Sequence, residues 1–166
     1  MESFRLVINP LSPSDYTEAA EIYNDSQHFI VEISGETATA LELVTKEAAE
    51  AQTHNAIFAG IKLKKNRRMI GIASYIPAGY KGQPSQAWLA LLLIAERFHR
   101  YGYGSEAYKL IEETIFINPE VCSIRLGVLA NNLTGFQFWQ KKGYQDTGIR
   151  GRSDFGHEIK VMEKSR

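Results

Sequence analysis

An unbroken apolar run near the middle of the chain constrains its fold more than any other feature. Residues 87–95 are all apolar, and the stretch from Trp88 to Ile94 shows no alternation of polar and apolar side chains. The run is too short to span a membrane, but it suits a strand that is covered on both faces. The sequence therefore predicts a strand that lies centrally in a sheet.

The remaining hydrophobic patterns predict an α/β protein with a sheet of mixed direction. The predicted strands are 4–8, 56–63, 69–76, 88–94, 123–129, 144–148 and 157–163, and the predicted helices are 14–23, 36–52, 102–117 and 132–142. In the second helix, Leu41, Val44 and Ala48 have the spacing of an apolar face. No repeat or linker divides the chain, so residues 1–166 are expected to form a single domain.

Composition narrows the possible partners and surroundings. The 166 residues include 19 basic and 19 acidic side chains, so net charge gives no reason to expect nucleic acid or a membrane as partner. One cysteine cannot form an internal disulfide, and the beginning of the chain lacks the pattern of a signal peptide. We therefore expect a cytoplasmic protein. The four histidines have no metal-ligand spacing, so no metal is expected.

A stretch with two glycines follows the apolar run and opens the third predicted helix. Residues 98–105 read Phe-His-Arg-Tyr-Gly-Tyr-Gly-Ser. Gly102 and Gly104 allow a ligand to approach the backbone, and the free N–H groups of a helix's first turn favour a phosphate. The glycines also fit a simpler role, in which they only tighten the turn. A dinucleotide site is disfavoured because the next strand ends at Leu129 without an acidic residue, and a Walker-type loop would need a lysine after Gly104.

Two motifs resemble those of the GCN5-related N-acetyltransferase superfamily. The first, R/Q-x-x-G-x-G/A, corresponds to residues 99–104, with His99 in the Arg or Gln place. The second, N-x-x-A-x-x-F-Y-x-x-x-G-F, corresponds to residues 132–144 and contains Asn132, Gly135, Phe138, Trp139, Lys142, Gly143 and Tyr144. The resemblance covers nearly the whole chain. It implies a mixed, mostly antiparallel sheet of about seven strands flanked by four helices, as in acyl-CoA N-acyltransferases.

The resemblance also implies acetyl-CoA as co-substrate and assigns residues to it. The pyrophosphate is expected on backbone N–H groups near residues 100–105, and the pantetheine arm on the backbone of residues 92–94. The residues implied to bind the cofactor are Leu92, Leu93, Ile94, His99, Arg100, Tyr101, Gly102, Tyr103, Gly104, Ser105, Asn132, Trp139 and Lys142. The N–H of Leu92 or Leu93 is expected to stabilise charge on the thioester oxygen.

Two residues depart from the family pattern. His99 replaces Arg or Gln, which puts a side-chain contact to phosphate in doubt while leaving the backbone role intact. Trp139 replaces the tyrosine that many members use to protonate the thiolate. An indole N–H only donates hydrogen bonds and does not ionise usefully, so Trp139 is not expected to act as a general acid.

The acceptor and the catalytic base are less constrained. His28, Glu32, Tyr75 and Tyr80 are candidate acceptor-binding residues, with ordinary packing or solvation as the alternative for each. The resulting prediction is an N-acetyltransferase that acts on a primary amine of a small molecule or peptide by direct attack in a ternary complex. A non-catalytic acyl-CoA-binding or sensing domain is the alternative, and a homodimer is compatible with both.

Overall fold

A computed structural model describes residues 1–26, 38–153 and 156–166. Within these ranges, strands and helices follow the predicted order. The strands are β1 (Leu6–Pro10), β2 (Ile57–Leu63), β3 (Met69–Ile76), β4 (Gln86–Ile94), β5 (Ser123–Leu129), β6 (Gln145–Arg152) and β7 (Glu158–Ser165). The helices are α1 (Tyr16–Asn24), α2 (Ala40–Thr53), α3 (Tyr103–Ile115) and α4 (Leu133–Lys141).

The seven strands form one sheet in the order β1-β2-β3-β4-β5-β7-β6. Only β4 and β5 pair in parallel, and the other neighbouring strands are antiparallel. This arrangement confirms the predicted mixed, mostly antiparallel sheet. It also places the apolar strand β4 at the centre.

Helices cover the two faces of the sheet in pairs. Helices α1 and α2 pack on one face in a core that includes Ile22, Val44 and Ile72. Helices α3 and α4 pack on the other face, where the core includes Ile111 and Leu126. In the described ranges, none of the helices is long and apolar enough to cross a membrane.

The apolar face of α2 differs from the predicted one. Leu41 is 51% exposed, while Val44 and Ala48 are buried as expected. The Thr39 hydroxyl accepts a bond from the Glu42 N–H at 3.3 Å, and the Glu42 carboxylate accepts one from the Thr39 N–H at 2.7 Å. This capping box starts the helix at Ala40. The buried face of the helix runs through Ala40, Leu43, Val44, Ala48 and Ala51, and Leu41 lies outside it. Leu41 therefore points to solvent.

The chain enters β1 later than the sequence predicts. The strand begins at Leu6, and the Ser3 N–H donates to the Leu6 carbonyl at 2.9 Å. This turn leaves Phe4, which was expected in the strand, 96% exposed. It also directs the side chains of Ser3 and Arg5 towards α3.

The prediction that β4 is covered on both faces is wrong at residues 90–92, although Leu93 and Ile94 are buried. Ala90 is exposed, and Leu91 and Leu92 are only half-buried. The parallel pairing with β5 ends at Leu89 and Leu126, although both strands continue. An apolar run cannot reveal where its neighbouring strand stops pairing, and here the gap exposes the strand.

Candidate active site

The end of the β4–β5 pairing coincides with a bulge in β4. Ser74 pairs with Leu91 and Tyr75 with Leu89, so Ala90 is an extra residue relative to β3. A bulge bends the strand and increases its twist. The strand therefore turns away from β5 at the point where their ladder ends, and this opens a wedge between two parallel strands.

Backbone groups of β4 point into this wedge. The Ala95 N–H, just after the strand, donates to the Ile70 carbonyl of β3 at 3.0 Å. Because N–H groups alternate in direction along a strand, those of Leu91 and Leu93 also face β3. Those of Leu92 and Ile94 face the wedge. The expectation for Leu93 is corrected accordingly, since its N–H belongs to the β3 ladder, whereas Leu92 keeps the orientation expected of an oxyanion donor.

The loop after β4 delivers the chain to the first turn of α3. Gly102 adopts a left-handed conformation with φ of 80° and caps the helix, and Arg100 is also left-handed at 66°. The Glu106 N–H is the first in the helix to find a backbone acceptor, the Gly102 carbonyl at 3.1 Å. Helix geometry leaves the N–H groups of Tyr103, Gly104 and Ser105 without intrahelical acceptors. These amides form a cradle suited to an anion.

The His99 side chain forms a hydrogen bond with the protein backbone. Its Nε2–H donates to the carbonyl oxygen of Ile94 at 2.7 Å. The side chain therefore ties the loop to the end of β4. Its Nε2 is committed to this bond, so only Nδ1 of the ring could contact a ligand.

Asn132 caps α4 on the far side of the wedge. Its Oδ1 accepts a hydrogen bond from the Gly135 N–H at 2.7 Å. A Cβ at position 135 would lie 2.7 to 2.9 Å from the Asn132 amide, so the amide can lie this close because Gly135 stands in the family's alanine place. The Asn132 Nδ2 keeps its capacity to donate, which is the role that a pantetheine carbonyl requires.

An aromatic cluster holds Trp139. Its ring meets Tyr108 at 5.2 Å, Tyr144 at 5.4 Å and Phe138 at 4.8 Å between centroids, each in an edge-to-face arrangement. The indole is half-buried against the core. Lys142 lies near the same cluster, with its Nζ 5.5 Å from the Phe138 ring centroid. Trp139 therefore forms a rigid wall on α4.

A polar network lies behind Trp139. The Tyr108 hydroxyl donates to Glu112 at 2.8 Å and is 3.2 Å from the Tyr144 hydroxyl. Lys164 completes the network through an ion pair with Glu112. Burial raises the pKa of both phenols, and the neighbouring Tyr144 raises that of Tyr108 further. These hydroxyls therefore stay protonated and join α3, β7 and the end of α4.

The opposite face of β4 carries a stacked aromatic pair. Ala87 and Leu89 lie in the core beneath α3, so Trp88 between them points to the other face. The Tyr80 ring stacks on Trp88 with centroids 4.5 Å apart and an interplanar angle of 14°. Gly127 lies beside the indole, where a Cβ would contact the ring at 3.7 Å and press on Ile159 Cδ1 at 3.1 Å. Tyr80 thus covers Trp88 on this face of the sheet.

Of the remaining predicted acceptor-binding residues, the structure describes Tyr75 alone. Tyr75 is only 1% exposed, and burial raises its pKa to about 12, so it belongs to the core and does not line an open pocket. The apolar surroundings on both sides of β3 account for this correction. His28 and Glu32 lie outside the described residues.

Several residues at the site were not identified from the sequence. Arg5 contacts Tyr101 and Glu106, although it precedes them by about a hundred residues. Such a contact leaves no local pattern. Tyr108 and Glu112 were detectable, because a spacing of four residues places them on one face of a helix.

Comparisons with known proteins support one family. A family model described as an acetyltransferase (GNAT) domain matches residues 8–162. No curated protein matches the chain by sequence. Three similar solved structures share the fold at low sequence identity.

One is an acetyltransferase from Thermus thermophilus, with a TM-score of 0.77, 18% identity and 100% of both chains covered. Another is the aminoglycoside acetyltransferase AAC(6')-Ib in complex with coenzyme A and kanamycin, with a TM-score of 0.76, 18% identity and 97% and 95% coverage of this chain and that one. The third is a Salmonella typhimurium acetyl transferase that modifies the N-terminal serine of ribosomal protein L7/L12, with a TM-score of 0.78, 10% identity and 99% and 96% coverage. With the family model matched over residues 8–162, the chain belongs to the GNAT acetyltransferase family.

Proposed function

We propose that residues 1–166 form one N-acetyltransferase domain that transfers the acetyl group of acetyl-CoA to a primary amine of a small molecule or peptide. One observation carries the proposal. The strand β4 offers unpaired backbone groups to a wedge, and the loop that follows leads directly into the anion cradle of α3. An extended thioester with a pyrophosphate at one end matches this combination.

The donor lies along the wedge with its phosphates at α3. The first-turn N–H groups of Tyr103, Gly104 and Ser105 bind the pyrophosphate, which also benefits from the helix dipole. The Ile94 N–H donates to the pantetheine arm, because the Ile94 carbonyl already accepts a bond from His99. Asn132 donates to the same arm from α4, and the Trp139 ring closes the channel. Lys142 adds positive charge at the end of this helix.

The transfer is a direct attack within a ternary complex. The amine nitrogen forms a bond to the thioester carbonyl carbon, the C–S bond breaks, and CoA leaves as a thiolate. Negative charge develops on the carbonyl oxygen during this step, and the Leu92 N–H is placed to stabilise it. Binding of the long CoA chain helps to hold the reacting carbonyl in position for this attack.

The nitrogen loses two protons in the reaction, one before it attacks and one to water as the amide forms, and the sulfur gains one. A primary amine has a pKa of about 10, so it arrives protonated and must lose one proton before it attacks. Asp25 is a poor candidate for the base, because its carboxylate accepts bonds from the N–H and Nη1 of Arg97 at 3.3 Å. The thiolate gains its proton from water in this proposal, because Trp139 cannot supply one.

The acceptor approaches from the face opposite α3. Tyr80 and Trp88 form an aromatic wall there, and Arg125 of β5, which pairs with Trp88 in the sheet, forms an ion pair with Glu163 of β7. Among the similar structures, one is an aminoglycoside acetyltransferase and one modifies the N-terminal serine of a protein. Both substrates present a primary amine.

The test combines binding with turnover. Free thiol release from acetyl-CoA is measured with a panel that contains an aminoglycoside, a polyamine, single amino acids and a peptide. Acetyl-CoA should also raise the melting temperature, because a ligand at a hundredfold excess over Kd stabilises the folded state by roughly 2.7 kcal/mol. Unchanged melting at millimolar acetyl-CoA would refute the proposal. NAD serves as the control ligand.

The second candidate is an acyl-CoA-binding or sensing domain without turnover. Trp139 supports it, because a caged indole stands where the family often has an ionisable hydroxyl. Two measurements made together distinguish the enzyme from the binding domain. A thermal shift with acetyl-CoA, together with no thiol release above the hydrolysis rate for any amine, would favour the binding domain.

A further inference from the structure

The segment that precedes β1 binds the first turn of α3. The Ser3 hydroxyl donates to Glu106 Oε1 at 2.5 Å, and the Arg5 backbone N–H donates to the same oxygen at 3.1 Å. Arg5 Nε and Nη2 donate to Glu106 Oε2 at 2.6 and 2.5 Å. Both carboxylate oxygens are therefore held by this segment.

Arg5 also contacts the loop that leads into α3. Its Nη1 donates to the Tyr101 carbonyl at 3.0 Å, and its guanidinium carbon lies 4.4 Å from the Tyr103 ring centroid. A Cβ on Gly102 would lie 3.6 Å from Arg5 Nη2. One side chain thus contacts the residues on both sides of the left-handed Gly102.

The charge of Glu106 makes this contact relevant to an anion. Glu106 follows Tyr103, Gly104 and Ser105 directly, so a carboxylate lies within one turn of the anion cradle. Burial raises the pKa of Glu106, but the bonds from Ser3 and Arg5 outweigh this and lower it. The group remains ionised at neutral pH. An unpaired carboxylate here would repel a pyrophosphate.

We propose that Arg5 is a positioning residue for the phosphate-binding loop, which it serves by neutralising Glu106 and fixing the Tyr101 carbonyl. The inference rests on the proposed function, since it concerns the same acetyl-CoA site. Arg5 acts through its two partners and does not contact the phosphate. The Arg5 and Glu106 side chains are 38% and 19% exposed, so solvent screens this pair only in part.

The position of His99 strengthens the argument. Its ring bonds to the Ile94 carbonyl. The loop therefore lacks the Arg or Gln side chain that the family pattern has at position 99. Arg5 brings a guanidinium to the same loop from a distant part of the sequence. The positive charge that offsets the Glu106 carboxylate next to the cradle therefore comes from the segment before β1.

The experiment measures acetyl-CoA binding by titration calorimetry for native protein and four variants. Arg5→Ala should raise Kd about tenfold or more, because it removes charge-assisted hydrogen bonds and leaves Glu106 unpaired. Arg5→Lys should give an intermediate Kd, since one ammonium cannot bond both partners. Glu106→Gln should keep Kd within about threefold of native, because it removes the carboxylate charge that Arg5 would otherwise have to neutralise. Lys64→Ala is the matched control, because Lys64 pairs with Glu2 of the same segment at 2.7 Å.

The double variant Arg5→Ala/Glu106→Gln distinguishes the mechanism. Its Kd should be at least about threefold tighter than that of Arg5→Ala, because the carboxylate that Arg5 neutralises is gone, and the remaining difference from Glu106→Gln reflects the lost bond to the Tyr101 carbonyl. A Kd that stays as weak as in Arg5→Ala would overturn the proposal and indicate direct phosphate contact. In steady state, Arg5→Lys should raise KM for acetyl-CoA and leave kcat within about threefold.

Native binding separates this inference from the proposed function. Native protein that binds acetyl-CoA no better than Arg5→Lys would overturn this inference alone. Failure of native protein to bind would overturn both. Should Arg5→Ala not fold, the comparison of Arg5→Lys with Arg5→Lys/Glu106→Gln gives the same two outcomes.

Discussion

The Nε2–H of His99 donates to the Ile94 carbonyl at 2.7 Å and closes the loop between β4 and α3. Ile94 is the last residue of β4, and its backbone faces the wedge. The bond therefore fixes where the strand ends and the anion cradle begins. A side chain in this role affects the loop's shape more than its charge.

The first prediction compares this side chain with the backbone that it supports. His99→Ala should lower the free energy of unfolding by about 1 kcal/mol, through the loss of one hydrogen bond. Its Kd for acetyl-CoA should rise less than that of Gly102→Val, because Gly102 has a φ of 80° that a β-branched residue cannot adopt without strain. Titration calorimetry gives the ordering. A larger Kd for His99→Ala would show that the side chain, and not the backbone, binds the phosphate.

Gly104 offers a test that leaves the protein undisturbed. A Cβ there would lie 3.7 Å from Ile94 Cγ1 and 4.0 Å from Phe138 Cζ, which is ordinary contact. Gly104→Ala should therefore melt close to the native temperature. Acetyl-CoA binding should weaken about tenfold, because the methyl group occupies space beside the first-turn amides. Equal binding by both proteins would mean that the ligand does not approach this backbone closely.

Local patterns in the sequence predict the elements of this fold. β3 and β5 have the predicted bounds, because each has an apolar strand pattern bordered by turn residues. The exposure of residues 90–92 in β4 was not predictable, since an apolar run indicates burial but not the length of the neighbouring ladder. The same limit applies to Leu93. Which amide faces the wedge depends on the register with β3 and on the bulge at Ala90.

The candidate site shows the same division between local and distant information. Gly102, Gly104 and Asn132 occupy local motifs, so their positions at helix starts follow from the sequence. The ion pair between Arg5 and Glu106 joins two segments that lie close together only in the folded protein. Residues that tune a site through such contacts need the tertiary structure to be found.

Asp15 provides a prediction of pH dependence. Its carboxylate accepts a bond from Lys62 Nζ at 2.8 Å and from the Ser12 hydroxyl at 2.7 Å, and these bonds lower its pKa from 3.8 to about 2. A lowered pKa in the folded state stabilises the protein above the unfolded value and loses that contribution as the pH falls through the folded value. Asp15→Asn should therefore cost about 2 kcal/mol at pH 7, and the difference should vanish between about pH 4 and pH 2.

Chemical denaturation at several pH values checks this prediction. Asp146→Asn is the control, because Asp146 pairs with Arg150 at the exposed surface and should change stability little. A cost of Asp15→Asn that stays constant down to pH 2 would show that the charge of Asp15 is not what stabilises the fold.

Trp139 gives the sharpest test of the chemistry. Its indole contacts Tyr108 and Tyr144 edge to face, so Trp139→Phe should reduce contact area along the donor channel. Lost contact area affects the ground state and the transition state alike, so KM for acetyl-CoA should rise while kcat stays within about tenfold. Trp139→Tyr restores the hydroxyl of the family pattern, and a placed acid contributes on the order of a hundredfold. We therefore expect a higher kcat for the tyrosine than for the phenylalanine variant. A hundredfold fall in kcat for Trp139→Phe, with unchanged KM and an intact circular dichroism spectrum, would instead assign the indole a role in the transition state.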